Sequence, residues 1–125
     1  MKYSIDKQEH YNLIQINEDK LDTIVAPELK SEFVKINAEG VKNVVLDLSS
    51  VKYIDSSGLS SVLVANRLCD NSNGKLIITG VTDHVMKLLK ISQLDSVLTL
   101  LKTIEEARDS IFMNEIEQGI KEDED

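Results

Sequence analysis

The 125-residue chain has one cysteine, one proline and no tryptophan, and aromatic residues make up 4% of it. A lone thiol, Cys69, excludes an intrachain disulfide and points to a reducing compartment. Cys69 falls within an apolar helical pattern, the setting of a small buried hydrophobe rather than a redox sensor. With so few rings, the core has to be aliphatic. No apolar run approaches the roughly 20 residues that span a bilayer. The opening Met1-Lys2-Tyr3-Ser4-Ile5-Asp6 turns polar too soon for a signal peptide, so a cytoplasmic protein without membrane insertion is expected. Metal-ligand spacing of His, Cys or carboxylates is absent, as is a glycine-rich phosphate loop, so no metal and no cofactor is expected. Ser57-Gly58 lacks the full Gly-x-Ser-x-Gly elbow, and only His10 and His84 could act as a base. Both read as surface residues, and the chain is expected not to be an enzyme. Its net charge of −8 repels phosphate backbones and anionic membrane surfaces, so nucleic acid is not an expected partner.

What is present fits one domain. Apolar residues make up 42% and charged residues 29%, enough for one core without staples. Near-alternate apolar residues at Tyr3, Ile5, Tyr11, Leu13/Ile14 and Ile16 flank the polar Lys7-Gln8-Glu9-His10, which predicts a hairpin. Pro27 suits the first turn of a helix, Leu29, Phe33 and Ile36 follow at helical spacing, and Gly40 is placed to end it. Val41 to Leu48 is nearly unbroken and rich in β-branched residues, as in a strand covered on both faces. A second helix is predicted with Leu59, Val62, Leu63, Asn66 and Cys69 on one side, closed by the turn Asn71-Ser72-Asn73-Gly74. A buried strand over Lys75–Gly80 follows. Next come a helix capped by Thr82 or Asp83, with Val85, Leu88, Leu89 and Ile91 as its stripe, and a last strand over Val97–Leu101. Thr103 and Glu106 fit a capping box ahead of a final helix with Ile104, Ala107, Ile111 and Ile116 on its apolar face. The folded domain is expected over residues 1–117, with 118–125 a solvated, frayed acidic tail. Strands alternating with helices imply an α/β sandwich with a mixed, mostly parallel sheet after an antiparallel start.

Asp55-Ser56-Ser57-Gly58-Leu59 falls at a predicted strand-to-helix junction, where free N–H groups and the positive end of a helix dipole face solvent. The local pattern alone allows a plain cap by Asp55, Ser56 or Ser57 and a tight turn at Gly58. A phosphate on a hydroxyl there would be held by the same N–H groups.

In this setting the chain resembles the STAS domain family, and in particular the stand-alone bacterial anti-sigma-factor antagonists. Leu21-Asp22, Val44-Val45-Leu46-Asp47-Leu48, Tyr53-Ile54, Asp55-Ser56-Ser57-Gly58-Leu59, Gly74-Lys75-Leu76 and Gly80 carry the resemblance, with Val85, Leu88-Leu89, Ile91, Leu94 and the Thr103, Glu105-Glu106-Ala107 ending downstream. The resemblance implies a STAS-like sandwich with helices mainly on one face. It also implies partner switching: the antagonist binds a serine kinase that is itself the anti-sigma factor, is released when phosphorylated, and is reset by a serine phosphatase. The serine after the motif's Asp, Ser56, is then the phosphoacceptor, with Ser57 the alternative. Asp22, Tyr53, Asp55, Ser56, Ser57 and Gly58 form the implied partner face, and the chain is expected as a monomer or weak dimer. Two positions depart from the family pattern: Asp19-Lys20 replaces a common Gly-Glu, and Ser60 replaces a glycine, adding Ser60 and Ser61 as rival hydroxyls. Rival readings keep the fold but make it an unphosphorylated scaffold in a signalling or transport assembly, or a nucleotide-binding sensor.

Overall fold

The computed structural model describes the backbone of residues 1–124 and the side-chain environment of residues 1–119. In chain order the elements are β1 (Tyr3–Lys7), β2 (Asn12–Ile16), β3 (Lys20–Leu21), α1 (Ala26–Ala38), β4 (Val44–Asp47), β5 (Tyr53–Ile54), α2 (Ser56–Asn71), β6 (Leu76–Thr79), α3 (Asp83–Ile91), β7 (Thr99–Leu101) and α4 (Ile104–Glu124). β1 and β2 form the predicted antiparallel hairpin. From β2 onward the five-stranded sheet is parallel, in the order β1-β2-β4-β6-β7, while β3 and β5 pair as a separate parallel ribbon.

Residue alternation assigns the two sides of the sheet. Ile14, Ile16, Val44, Leu46, Leu76 and Ile78 point toward α1, α2 and α3 and form the main core with Leu29, Phe33, Val62, Val85 and Leu89. Val45 and Ile77 point the other way, where Ala107 and Ile111 of α4 cover them beside Tyr11, Leu13 and Leu101. Three helices on one side and one on the other account for the unbroken apolar run of β4, because alternate residues serve different layers. α1 ends as Gly40 predicts. At φ +95° this glycine donates to the Asn37 carbonyl, and Val41 donates to that of Ile36, closing a Schellman turn.

Several details differ from the sequence expectation. Ile91 and Val97 are exposed, because α3 stops at Ile91 and a short 3-10 turn (Leu94–Ser96) delays the last strand to Thr99. The buried side of α2 is Gly58, Ser61, Val62, Ala65 and Cys69, with Leu59, Leu63 and Asn66 only half-buried. Thr103 accepts the Glu106 N–H at 3.1 Å, the first half of the capping box. Ile116 lies on the outer side of α4, not on its packed face. The helix is continuous through Glu124, and Asp125 lies outside the described residues.

Burial pushes the Cys69 thiol up to about 11, with nearby Asp70 acting in the same direction. Native protein at pH 8 is therefore expected to react with iodoacetamide about a hundredfold more slowly than unfolded protein; equal rates would contradict the burial. Truncating the fully buried Leu46 to Ala is expected to cost about 2–5 kcal/mol, read from urea unfolding.

Candidate functional site

The short β3–β5 ribbon brings two distant loops to the start of α2. Lys20 lies opposite Tyr53 and Leu21 opposite Ile54, and the Lys52 and Tyr53 amides both donate to the Asp19 carbonyl. β5 is steadied from the other side by Thr82, whose hydroxyl donates to the Val51 carbonyl at 2.8 Å. That bond takes the Thr82 side chain away from capping α3. Gly58 then meets the ribbon backbone. A Cβ there would overlap the Leu21 carbonyl oxygen and lie 2.7 Å from Ile54 Cγ1, so the glycine serves close approach rather than a tight turn.

Asp55 settles which residue caps α2. Its backbone is extended, and its Oδ1 accepts the Gly58 N–H at 2.9 Å. Its Oδ2 faces Thr23, accepting from the backbone N–H and from Oγ1, each at 3.3 Å. One carboxylate thus ties the helix start to the loop after β3. The Gly58 N–H, with smaller help from Thr23, holds its pKa below the ordinary carboxylate value, against the opposing effect of desolvation.

With Asp55 as the cap, the two serines differ. Ser57 is half-buried, and its hydroxyl shares a hydrogen bond with Thr23 Oγ1 at 3.2 Å. Ser56 is exposed at the first helical position, and its hydroxyl has no hydrogen-bond partner among the described residues. Ser61 is fully buried and donates to the Gly58 carbonyl, while Ser60 is half-buried. The Asp22 carboxylate is used locally: its Oδ1 accepts the Ile24 and Val25 N–H groups at 3.0 and 3.3 Å, shaping the entry to α1.

Tyr53 is 43% exposed and stacks on His84, with centroids 5.9 Å apart and planes at 21°. Ile24 is 86% exposed next to Thr23. Sequence reasoning missed Ile24, and it missed Thr23 and the Tyr53–His84 stack because each of those matters through a residue about 30 positions away. His10 sits in the hairpin turn, with Nδ1 2.7 Å from Glu115 of α4. Among the described residues no group of three or more His, Cys, Asp or Glu could hold a metal, and no helix is long and apolar enough to cross a membrane.

Two outcomes follow from this geometry. Gly58→Ala is expected to destabilise the fold by about 1–3 kcal/mol, because the new methyl meets backbone that cannot give way; an unchanged urea midpoint would refute the close approach. A carboxylate with a depressed folded pKa stabilises above its unfolded pKa, and that contribution is lost as pH falls through the folded value. The urea-midpoint gap between wild type and Asp55→Asn is therefore expected at pH 6 and should shrink below about pH 4.

Comparison with known proteins agrees with this architecture. The STAS domain model matches residues 4–107. The anti-sigma-B factor antagonist of Staphylococcus aureus is 27% identical over 79 residues, covering 63% of this chain and 73% of its own. Among solved structures, a putative anti-sigma factor antagonist from Thermotoga maritima superposes with a TM-score of 0.78 at 22% identity, over 87% of this chain and 93% of that one. The Bacillus cell fate determinant SpoIIAA in its phosphorylated form superposes with a TM-score of 0.69 at 20% identity, over 88% and 99% of the two chains. With the family model spanning most of the fold, from the β1 hairpin to the first turn of α4, the chain belongs to the STAS domain family.

Proposed function

We propose that this protein is an anti-sigma-factor antagonist whose partner binding is switched at Ser56. The reading rests on one observation: of the serines at the start of α2, Ser56 is the exposed one, its hydroxyl without a hydrogen-bond partner among the described residues, while Ser57 is tied to Thr23 and Ser61 is buried. The relatives named as anti-sigma-B factor antagonists, and the phosphorylated SpoIIAA of the same fold, support it. In the unmodified state a serine kinase that doubles as the anti-sigma factor docks on the surface around Ser56, with Ile24 and Tyr53 as apolar anchors and Asp22 and Asp55 shaping the loops beneath. A serine phosphatase returns the modified protein to this state.

Phosphorylation adds roughly −1.5 to −2 charges at the first turn of α2. The helix N–H groups can hold that phosphate, so the modified state is stable. Towards a partner the same charge acts with the Asp55 carboxylate, which is ionised at neutral pH, and repels acidic groups that docked against a neutral hydroxyl. A loss of about 3 kcal/mol weakens binding more than a hundredfold. No refolding is needed for an effect of that size.

Intact-mass analysis of the protein from its own cells, with Ser56→Ala alongside, tests the assignment. A phosphate-sized addition is expected that disappears in Ser56→Ala. An addition that survives the substitution would move the switch elsewhere, and none under any growth condition would leave a STAS scaffold as the better account.

A further inference from the structure

The outer side of α4 is apolar where a solvent-facing helix is normally polar. Phe112, Met113 and Ile116 are 52%, 57% and 50% exposed, while Ala107 and Ile111 on the opposite side pack on the sheet. At helical spacing these three residues form one continuous strip. They leave on the order of 300 Å² of apolar surface, the size of the largest patch on a typical monomer, which is often functional. Phe112 is not loosely held: its ring meets His10 edge-on at 5.4 Å, and His10 is held in turn by Glu115 at 2.7 Å. On that side the strip runs into a cleft of about 400 Å³ between α4 and the β1–β2 hairpin, floored by Tyr11, Leu13 and Ile104.

Charge decides what fits there. Between Ile104 and Gly119, α4 carries five carboxylates and one cation, Arg108. Asp109 lies one turn before the strip and Glu117 one turn after Met113, while Glu9 at the hairpin tip stands exposed beside the cleft. A second copy of this chain laid on the strip would set carboxylate against carboxylate. A helix with an apolar stripe bordered by Lys or Arg would cover the strip and meet Asp6, Glu9, Asp109 and Glu117 with opposite charge, with Arg108 in the cleft a like charge they outnumber. We infer that the outer face of α4 and its adjoining cleft form a second docking surface, on the opposite side of the sheet from α2, for a basic amphipathic helix of a protein partner. This surface shares no residue with the one around Ser56.

The test uses the full chain and a labelled 18-residue amphipathic helix of leucine and lysine, with a scrambled peptide of equal composition as control, followed by fluorescence anisotropy. The amphipathic peptide is expected to bind at least tenfold more tightly than the scrambled one. Phe112→Ser with Ile116→Ser should erase that preference, and Asp109→Lys, a rim change that leaves the apolar strip intact, should weaken binding several-fold. Equal binding of the two peptides would overturn the inference, as would a preference that survives loss of Phe112 and Ile116. Sedimentation showing a dimer of the free chain that dissolves in the double variant would also overturn it, by making a second copy the occupant.

Discussion

The Asp55 carboxylate sits where three parts of the chain meet, and the local arrangement depends on how its two oxygens are used. One oxygen satisfies the Gly58 N–H at the start of α2, and the other takes both donors of Thr23 in the loop after β3. That division sets the helix start at Ser56 and draws Ser57 inward through Thr23. It also presses Gly58 against Leu21, a contact only glycine permits. Ser56 is what remains, an exposed hydroxyl on the first turn of a helix with no hydrogen-bond partner among the described residues. Capping is common chemistry; here it decides which of two adjacent serines meets solvent.

The rest of the molecule holds this corner still. Behind α2 lies the aliphatic core of Ile14, Leu46 and Ile78, and β5 is braced by Asp19 on one side and Thr82 on the other. In the proposed switch, a phosphate on Ser56 adds its charge to this braced corner, and the effect falls on whatever docks there. The two layers of helices separate tasks as well. α2 presents the serine on one side of the sheet, while α4 closes the other side and turns a second apolar strip outward.

Much of this was legible in the sequence, because period and punctuation carry it. The hairpin, the Pro27 helix start, the Gly40 stop and the doubly covered β4 each have a local signal strong enough to survive folding. The motif Asp55-Ser56-Ser57-Gly58 was legible as a helix start, but not which residue capped it, since Asp and Ser are equally good caps. The cap is Asp55, whose second oxygen also binds Thr23, 32 residues away, and no periodicity encodes that pairing. Ile91, Val97 and Ile116 were misplaced for a related reason. Apolar spacing marks a stripe but does not say where a helix ends or whether its stripe finds a neighbour. In α4 apolar residues lie on both sides, so the pattern alone could not separate packed from exposed.

The central claim is that modification at Ser56 changes a surface charge on a fold that does not move. Amide ¹H–¹⁵N spectra of the chain with phosphoserine built in at position 56, set against the unmodified chain, test it most directly. The account predicts shifts confined to the first turn of α2, the Asp22–Val25 loop and the neighbourhood of Tyr53 and His84. Shifts spread through β4, β6 and the far end of α2 would contradict it, because they would mean that the core itself rearranges.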